Sequence, residues 1–183
     1  MRGANAEHVS AYFARPLGTG SYPGLVLIHY LLGWDEWYRW AAREFAYHGF
    51  MALVPNLYGR EGQGPPEEIA ADVQAAGGIA DDQILGDIEG ALQYLRALPY
   101  CSGKVGCFGT GSGGRYAVLA ASRIDRFNAA VDCWGEGVVM SQEALTPMQP
   151  VAPIDCTTDL KCPLLGIFGE EGQAPSMAQV DQH

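Results

Sequence analysis

Residues 103–116 read GKVGCFGTGSGGRY, which sets Ser112 among the glycines of a Gly109–Gly114 turn. An apolar run, Val105 to Phe108, enters the turn, and a helix-like AVLAAS leaves it. A strand, a glycine turn and a helix in that order serve two chemistries. A nucleophile elbow holds one attacking side chain at the top of a strained turn, with small residues on either side because strand and helix come close together. A dinucleotide cradle instead lets backbone amides approach a pyrophosphate at the helix N-terminus. Gly109, Gly111 and Gly114 satisfy G-x-G-x-x-G, and Asp132 lies 18 residues past Gly114, near the position of a ribose-binding acid about 20 residues on. Against the cradle, the pattern arises easily in a chain with 24 glycines. It also lies behind at least two strands, whereas that fingerprint usually follows the first strand of its unit. The elbow is the stronger reading, and the dinucleotide-binding module stays as the alternative.

Other residues able to do chemistry are sparse. His29 ends an apolar run and reads as a hydrogen-bonded pocket wall rather than a base. Glu170 and Glu171 read as an exposed acidic turn, or as groups that orient a base. His8 and His48 read as surface or turn residues, and His183 would have to fold back a long way to act. Tyr30, Trp34 and Trp134 are expected to line a pocket, and Arg115 to form a structural salt bridge or to meet a substrate carboxylate. The five cysteines form no CxxC pair and leave one thiol over under full pairing. Neither a metal site nor a disulfide framework follows, no cofactor is implied, and a reducing cytoplasm is the expected compartment.

The elements that must position these groups alternate along the chain. A short strand over His8–Ala14 is followed by the continuous apolar run Gly24–His29, the mark of a strand buried on both faces. Asp35 caps a helix through WYRWAAREFAYH, stopped by Gly49, and Phe50–Val54 is the next buried strand. A helix begins near Glu67; a longer one starts at Asp81 or Asp82, with Ile84, Ile88, Leu92 and Leu95 at helical spacing. Val105–Phe108, Ala129–Cys133 and Leu164–Phe168 complete the strands, and residues 138–161, with three prolines, read as a long loop or cap with little regular structure. Strands separated by helices predict a mostly parallel sheet covered on both faces, within one domain over residues 1–183. Ligands in such sheets sit at the carboxyl ends of the strands.

Charge and hydropathy narrow the classes further. A formal net charge of −10 argues against nucleic-acid binding, which needs clustered Lys and Arg. No apolar run approaches the roughly 18 residues of a membrane span, and MRGANAEHVSAYF lacks the layout of a secretory signal.

In combination, AYFARP, GLVLIHYLLGWDEWYRWAAREFAYHGFMALVPNLYGR, DDQILGDIEGALQYLRALPYCSGKVGCFGTGSGGRYAVLAAS, AAVDCWG and CPLLGIFGEEGQAPSMAQVDQH resemble the dienelactone hydrolase family of α/β-hydrolases over nearly the whole chain. The resemblance implies the three-layer α/β-hydrolase fold and a cysteine, aspartate and histidine acting on esters or lactones through an acyl-enzyme. It also implies an oxyanion hole from the amides of Leu31 and Ser112. Carried onto this chain, it puts the nucleophile slot at Gly111 and the acid slot at Gly172, and the histidine would follow one further strand. Ser112 is one residue past the slot and reads as a small residue easing helix packing.

The expectation is therefore a family member truncated before its last strand and helix, hydrolytic in ancestry but with little or no turnover. It would bind a small carboxylate, ester or lactone in the remnant pocket. Weak serine esterase activity through Ser112, with Glu171 as a helper, and a non-catalytic assembly role are the alternatives. An open sheet edge at Leu164–Phe168 predicts a homo-oligomer.

Overall fold

A computed structural model describes residues 1–183. Six strands form one sheet: β1 (Ala11–Ala14), β2 (Tyr22–Ile28), β3 (Met51–Pro55), β4 (Cys101–Thr110), β5 (Ala129–Cys133) and β6 (Leu164–Ile167). Their spatial order is β1-β3-β2-β4-β5-β6, with β1 antiparallel to β3 and every other pair parallel. The helices are α1 (Glu36–Tyr47), α2 (Pro66–Ala75), α3 (Asp81–Ala97), α4 (Ser112–Arg123) and α5 (Met177–Val180).

The sequence pattern explains the layering. Alternate residues of one strand point to opposite faces. Leu25 and Leu27 of β2 pack with Tyr38, Ala41 and Ala42 of α1, whereas Val26 and Ile28 join the larger core under α2, α3 and α4. The apolar run is therefore buried on both sides, as a parallel central strand requires. Asp35 caps α1 by accepting a hydrogen bond from the Tyr38 amide at 3.2 Å, a contact worth about 1 kcal/mol.

Two expectations about elements need correction. The strand at residues 8–14 begins only at Ala11, because His8 instead bridges to Arg2. Strand β4 is longer than the apolar run Val105–Phe108, since Tyr22 and Cys101 extend its pairing with β2. Residues 138–161 are a long loop as read, its regular structure limited to 3-10 turns at Gln142–Ala144 and Pro153–Asp159, and Cys156 of the second is buried in the main core.

The topology locates the site. From β2 the chain moves outward to β3, then returns to place β4 on the other side of β2. The β2 and β4 carboxyl ends therefore flank a crevice where the winding reverses, the usual ligand position in open α/β sheets. Leu31 and the 109–114 turn lie at those ends.

Candidate active site

The turn between β4 and α4 is an elbow with Gly111 at its apex. Gly111 has φ 52° and ψ −125°, a conformation that disfavours a residue with a Cβ. Its amide donates to Cys133 O at 3.0 Å, and its carbonyl accepts from the Gly114 amide at 2.9 Å and the Glu136 amide at 3.2 Å. Glycines below the apex let helix and sheet touch: a Cβ on Gly109 would lie 2.0 Å from Gly113 O, and one on Gly113 2.3 Å from Ile28 O. A Cβ on Gly111, in contrast, meets only Tyr30 Cβ at 3.4 Å and Trp134 Nε1 at 3.9 Å. The apex thus points a side-chain position into open space between two aromatic residues.

Two clefts flank the elbow. One, of about 210 Å3, is lined by Tyr30, Trp37, Tyr38, Thr110 and Trp134, and this is where a side chain at position 111 would project. The other, of about 330 Å3, is lined by Ser112, Leu31, His29 and mainly apolar residues from the loop after β3 and from α2, α3 and α4, with Gln74 and Gln149 among the polar exceptions. Ser112 therefore opens into a different space from the apex, and its hydroxyl has no hydrogen-bonded partner.

The amides of Leu31 and Ser112 donate to no protein acceptor. The Ser112 amide opens the 12-residue helix α4, so the positive end of the helix dipole reinforces it. The loop carrying Leu31 is held by Tyr38, a residue that is fully buried and was not singled out from the sequence. Its hydroxyl accepts the Tyr30 amide proton at 2.7 Å and shares a further hydrogen bond with Thr110 Oγ1. One side chain of α1 so ties the β2 loop to the last residue of β4. Desolvation pushes the Tyr38 phenol pKa upward and keeps it neutral. Only its position, three residues after the Asp35 cap, hinted that Tyr38 faces inward.

His29 is committed to structure. Its Nε2 accepts the Leu57 amide at 3.1 Å, which leaves the proton on Nδ1, donated to Tyr30 O at 3.0 Å. Complete burial lowers its pKa to about 4, so the ring is neutral at pH 7 with both nitrogens occupied. It lines the Ser112 cleft but cannot serve Ser112 as a base. Tyr30 hydrogen-bonds to Asp35 at 3.1 Å, and desolvation and then the Asp35 and Glu67 charges raise its pKa.

Several expected site residues lie elsewhere. Arg115 is no pocket residue: it is 2% exposed and makes a bidentate pair with Asp81 at 2.6 and 3.0 Å, with a further bond to Val151 O. Trp34 turns away from the elbow after Gly33, whose φ is 89°, into a third cleft of about 420 Å3, where Arg39 stacks on its ring at 4.7 Å. Gly172 lies in an exposed turn closed on Gly169 O at 3.3 Å, and Glu170 and Glu171 are exposed beside it without hydrogen-bond partners. Asp132 faces inward beneath Gly114 and Gly135 rather than toward a ribose crevice. His183 does fold back: its Nε2 lies 2.9 Å from Asp132 Oδ2 and its ring packs edge-on against Phe168. The Asp132 hydrogen bond raises the His183 pKa. This pair docks α5 to the sheet.

A parallel sheet with an elbow at its switch point and two free amides beside it defines an α/β-hydrolase. More narrowly, residues 9–183 match the dienelactone hydrolase family, and the chain belongs to that family. A Methylorubrum extorquens protein named for carboxymethylenebutenolidase activity is 28% identical over 179 residues, which cover 95% of this chain and 60% of that protein. A Bradyrhizobium protein named as a 2-oxo-3-(5-oxofuran-2-ylidene)propanoate lactonase is 30% identical, over 92% of this chain and 67% of its own length. A dienelactone-hydrolase-type crystal structure from Klebsiella pneumoniae superposes with a TM-score of 0.85 at 27% identity, covering 97% of this chain and 74% of that one. The chain thus spans about three-fifths of the first of these relatives. No helix is long and apolar enough to cross a membrane.

Proposed function

We propose that this chain binds a small carboxylate, carboxylic ester or lactone at the elbow without forming an acyl-enzyme. The observation that carries this reading is the apex itself. Gly111 holds the strained elbow geometry, and its side-chain direction opens into the Tyr30 and Trp134 cleft, yet it offers no atom to attack a carbonyl. The two relatives are named for butenolide and lactone hydrolysis, so the ligand class follows the family while the covalent step does not.

A ligand carbonyl or carboxylate oxygen accepts hydrogen bonds from the Leu31 and Ser112 amides, which are fixed before it arrives because Tyr38 and the elbow glycines set their backbone. Polarisation of the carbonyl remains available; an attacking side chain at position 111 does not. Hydrolases stripped of triad members keep about 10³–10⁴-fold acceleration over water through the oxyanion hole and binding alone. Any turnover here is expected to stay at or below that level. Ser112 does not replace the nucleophile, because nothing activates its hydroxyl and the nearby His29 is neutral with both nitrogens engaged.

The test is an amide-resolved titration by NMR. Adding a short alkyl ester shifts the Leu31 and Ser112 amide resonances together and saturably, while the ester persists in solution. Shifts confined to residues remote from the elbow would refute the reading.

A further inference from the structure

We propose that the third cleft, across the β2–α1 loop from the elbow, is a second binding site and takes a small organic carboxylate. At about 420 Å3 it is larger than either cleft at the elbow. Residues 8–69 alone wall it, beside β1 and β3 at the sheet edge opposite β6. Its shape is therefore set by the first three strands and the loops that join them.

The chemistry follows from donors that lack acceptors. Arg39 and Trp34 both line the cleft. The Arg39 Nε–H and the Trp34 indole N–H are each buried, and neither finds an acceptor. A guanidinium and an indole can only donate, and buried donors left unmatched are rare and costly. An occupant that completes them has to bring acceptor oxygens. Glu36 does not serve Arg39: it lies 3.7 Å from Nη1, beyond hydrogen-bond reach, and is hydrogen-bonded to Arg43 at 3.0 Å. The Arg39 guanidinium sits over the Trp34 ring at 4.7 Å, which fixes its plane before a ligand arrives. A planar fork held in this way suits a carboxylate, which accepts two parallel hydrogen bonds from it. Asn56, just past β3, adds a side-chain amide to the same wall.

Charge and surface favour an organic acid over inorganic phosphate. Arg60 also lines the cleft, but Glu7 and Asp87 both bind it, so Arg39 is the guanidinium left to a ligand. One such group matches a singly charged acid. Val9, Tyr58 and Ile69 supply apolar surface for its carbon body, a contact phosphate cannot use. Tyr58 also lines the Ser112 cleft, and its hydroxyl donates to Leu31 O at 3.3 Å. The two sites thus share a wall, and the Ser112 amide is the cleaner reporter of the elbow.

Benzoate and benzamide form a matched pair, alike in shape and different in charge. NMR titration of the whole chain near neutral pH reads the two orphaned donors directly, through the Trp34 indole N–H and the Arg39 Nε–H resonances. Benzoate should shift both saturably, and benzamide should bind about tenfold weaker or worse. Arg39→Gln should abolish the Trp34 response to benzoate. The Arg39 side chain is 39% exposed on α1, and an unchanged Ser112 amide resonance verifies that this variant folds. Benzoate shifts at Ser112 with Trp34 and Arg39 silent would overturn the second site and leave the elbow reading standing. Equal binding of benzamide, or a Trp34 response that survives Arg39→Gln, overturns the carboxylate as the ligand. Inorganic phosphate saturating the same two resonances where benzoate does not overturns it as well.

Discussion

Gly109→Ala tests the elbow more sharply than any change at the apex. In β4, Gly109 pairs with Ile28 on one side and Asp132 on the other, so it cannot slide without disturbing two neighbouring strands. An added Cβ would lie 2.0 Å from Gly113 O, 2.3 Å from Gly113 C and 2.7 Å from Gly114 N. All three are backbone atoms of the first turn of α4, so no side chain can swing aside. An ordinary contact requires the helix N-terminus to retreat by more than about 1 Å, and overpacking of this kind costs about 1–3 kcal/mol, occasionally more. We place Gly109→Ala at about 3 kcal/mol, because the obstacle is main chain and Gly113 is itself pressed against Ile28 O. Gly111→Ala should cost less, about 1–2 kcal/mol, from its positive φ alone, since its Cβ has room. For a domain of this size, about 3 kcal/mol corresponds to a Tm lower by roughly 6–12 °C. Urea denaturation of the two variants beside the unmodified chain measures both. A Gly109→Ala variant within about 1 kcal/mol of the parent, or a Gly111→Ala variant that is the more damaged, would refute the close approach on which the elbow depends.

Other expectations concern buried charge. Arg115→Met strands the Asp81 carboxylate, which is 3% exposed, and should cost about 3–5 kcal/mol in a urea melt; a loss below about 1 kcal/mol would contradict the pairing. The raised His183 pKa means its pair with Asp132 contributes fully below the ordinary histidine value and fades as pH rises through the raised one. Hydrogen exchange in residues 177–183 should therefore gain an added acceleration on alkaline titration that His183→Gln removes, and identical profiles would exclude the latch. His29 acts with the opposite sign: with a folded pKa of about 4, its burial leaves stability intact above pH 6.5. That stability drains by up to about 3 kcal/mol as pH falls toward 4. Nitrogen chemical shifts should show the Nδ1–H tautomer unchanged from pH 5 to 8, and a ring that titrates near 6.5 would rule out this burial.

What the sequence made legible was local in origin. The runs Gly24–Ile28 and Phe50–Val54 are apolar on both alternating faces, so burial in a parallel sheet follows from their own composition. The spacing of glycines around position 111 likewise carried the elbow, because each glycine marks a place where two backbones meet. What stayed hidden depends on partners distant along the chain. Arg115 finds Asp81 34 residues away, and His183 finds Asp132 51 residues away, with no periodicity to announce either. The destination of Trp34 was set by the left-handed turn at Gly33, which sends the indole to Arg39 instead of the elbow. Tyr38 reads as one more aromatic on an amphipathic helix, and only its contacts show that its hydroxyl links the oxyanion loop to Thr110.

The central claim is that the elbow has kept its scaffold and lost its nucleophile. Stopped-flow mixing with p-nitrophenyl acetate, followed by intact-mass and peptide analysis, addresses it most directly. The account predicts no stoichiometric burst of p-nitrophenol, no acetyl group on Ser112, and a slow rate that Ser112→Ala leaves unchanged. A burst matched by acetylated Ser112, and abolished in Ser112→Ala, would contradict it.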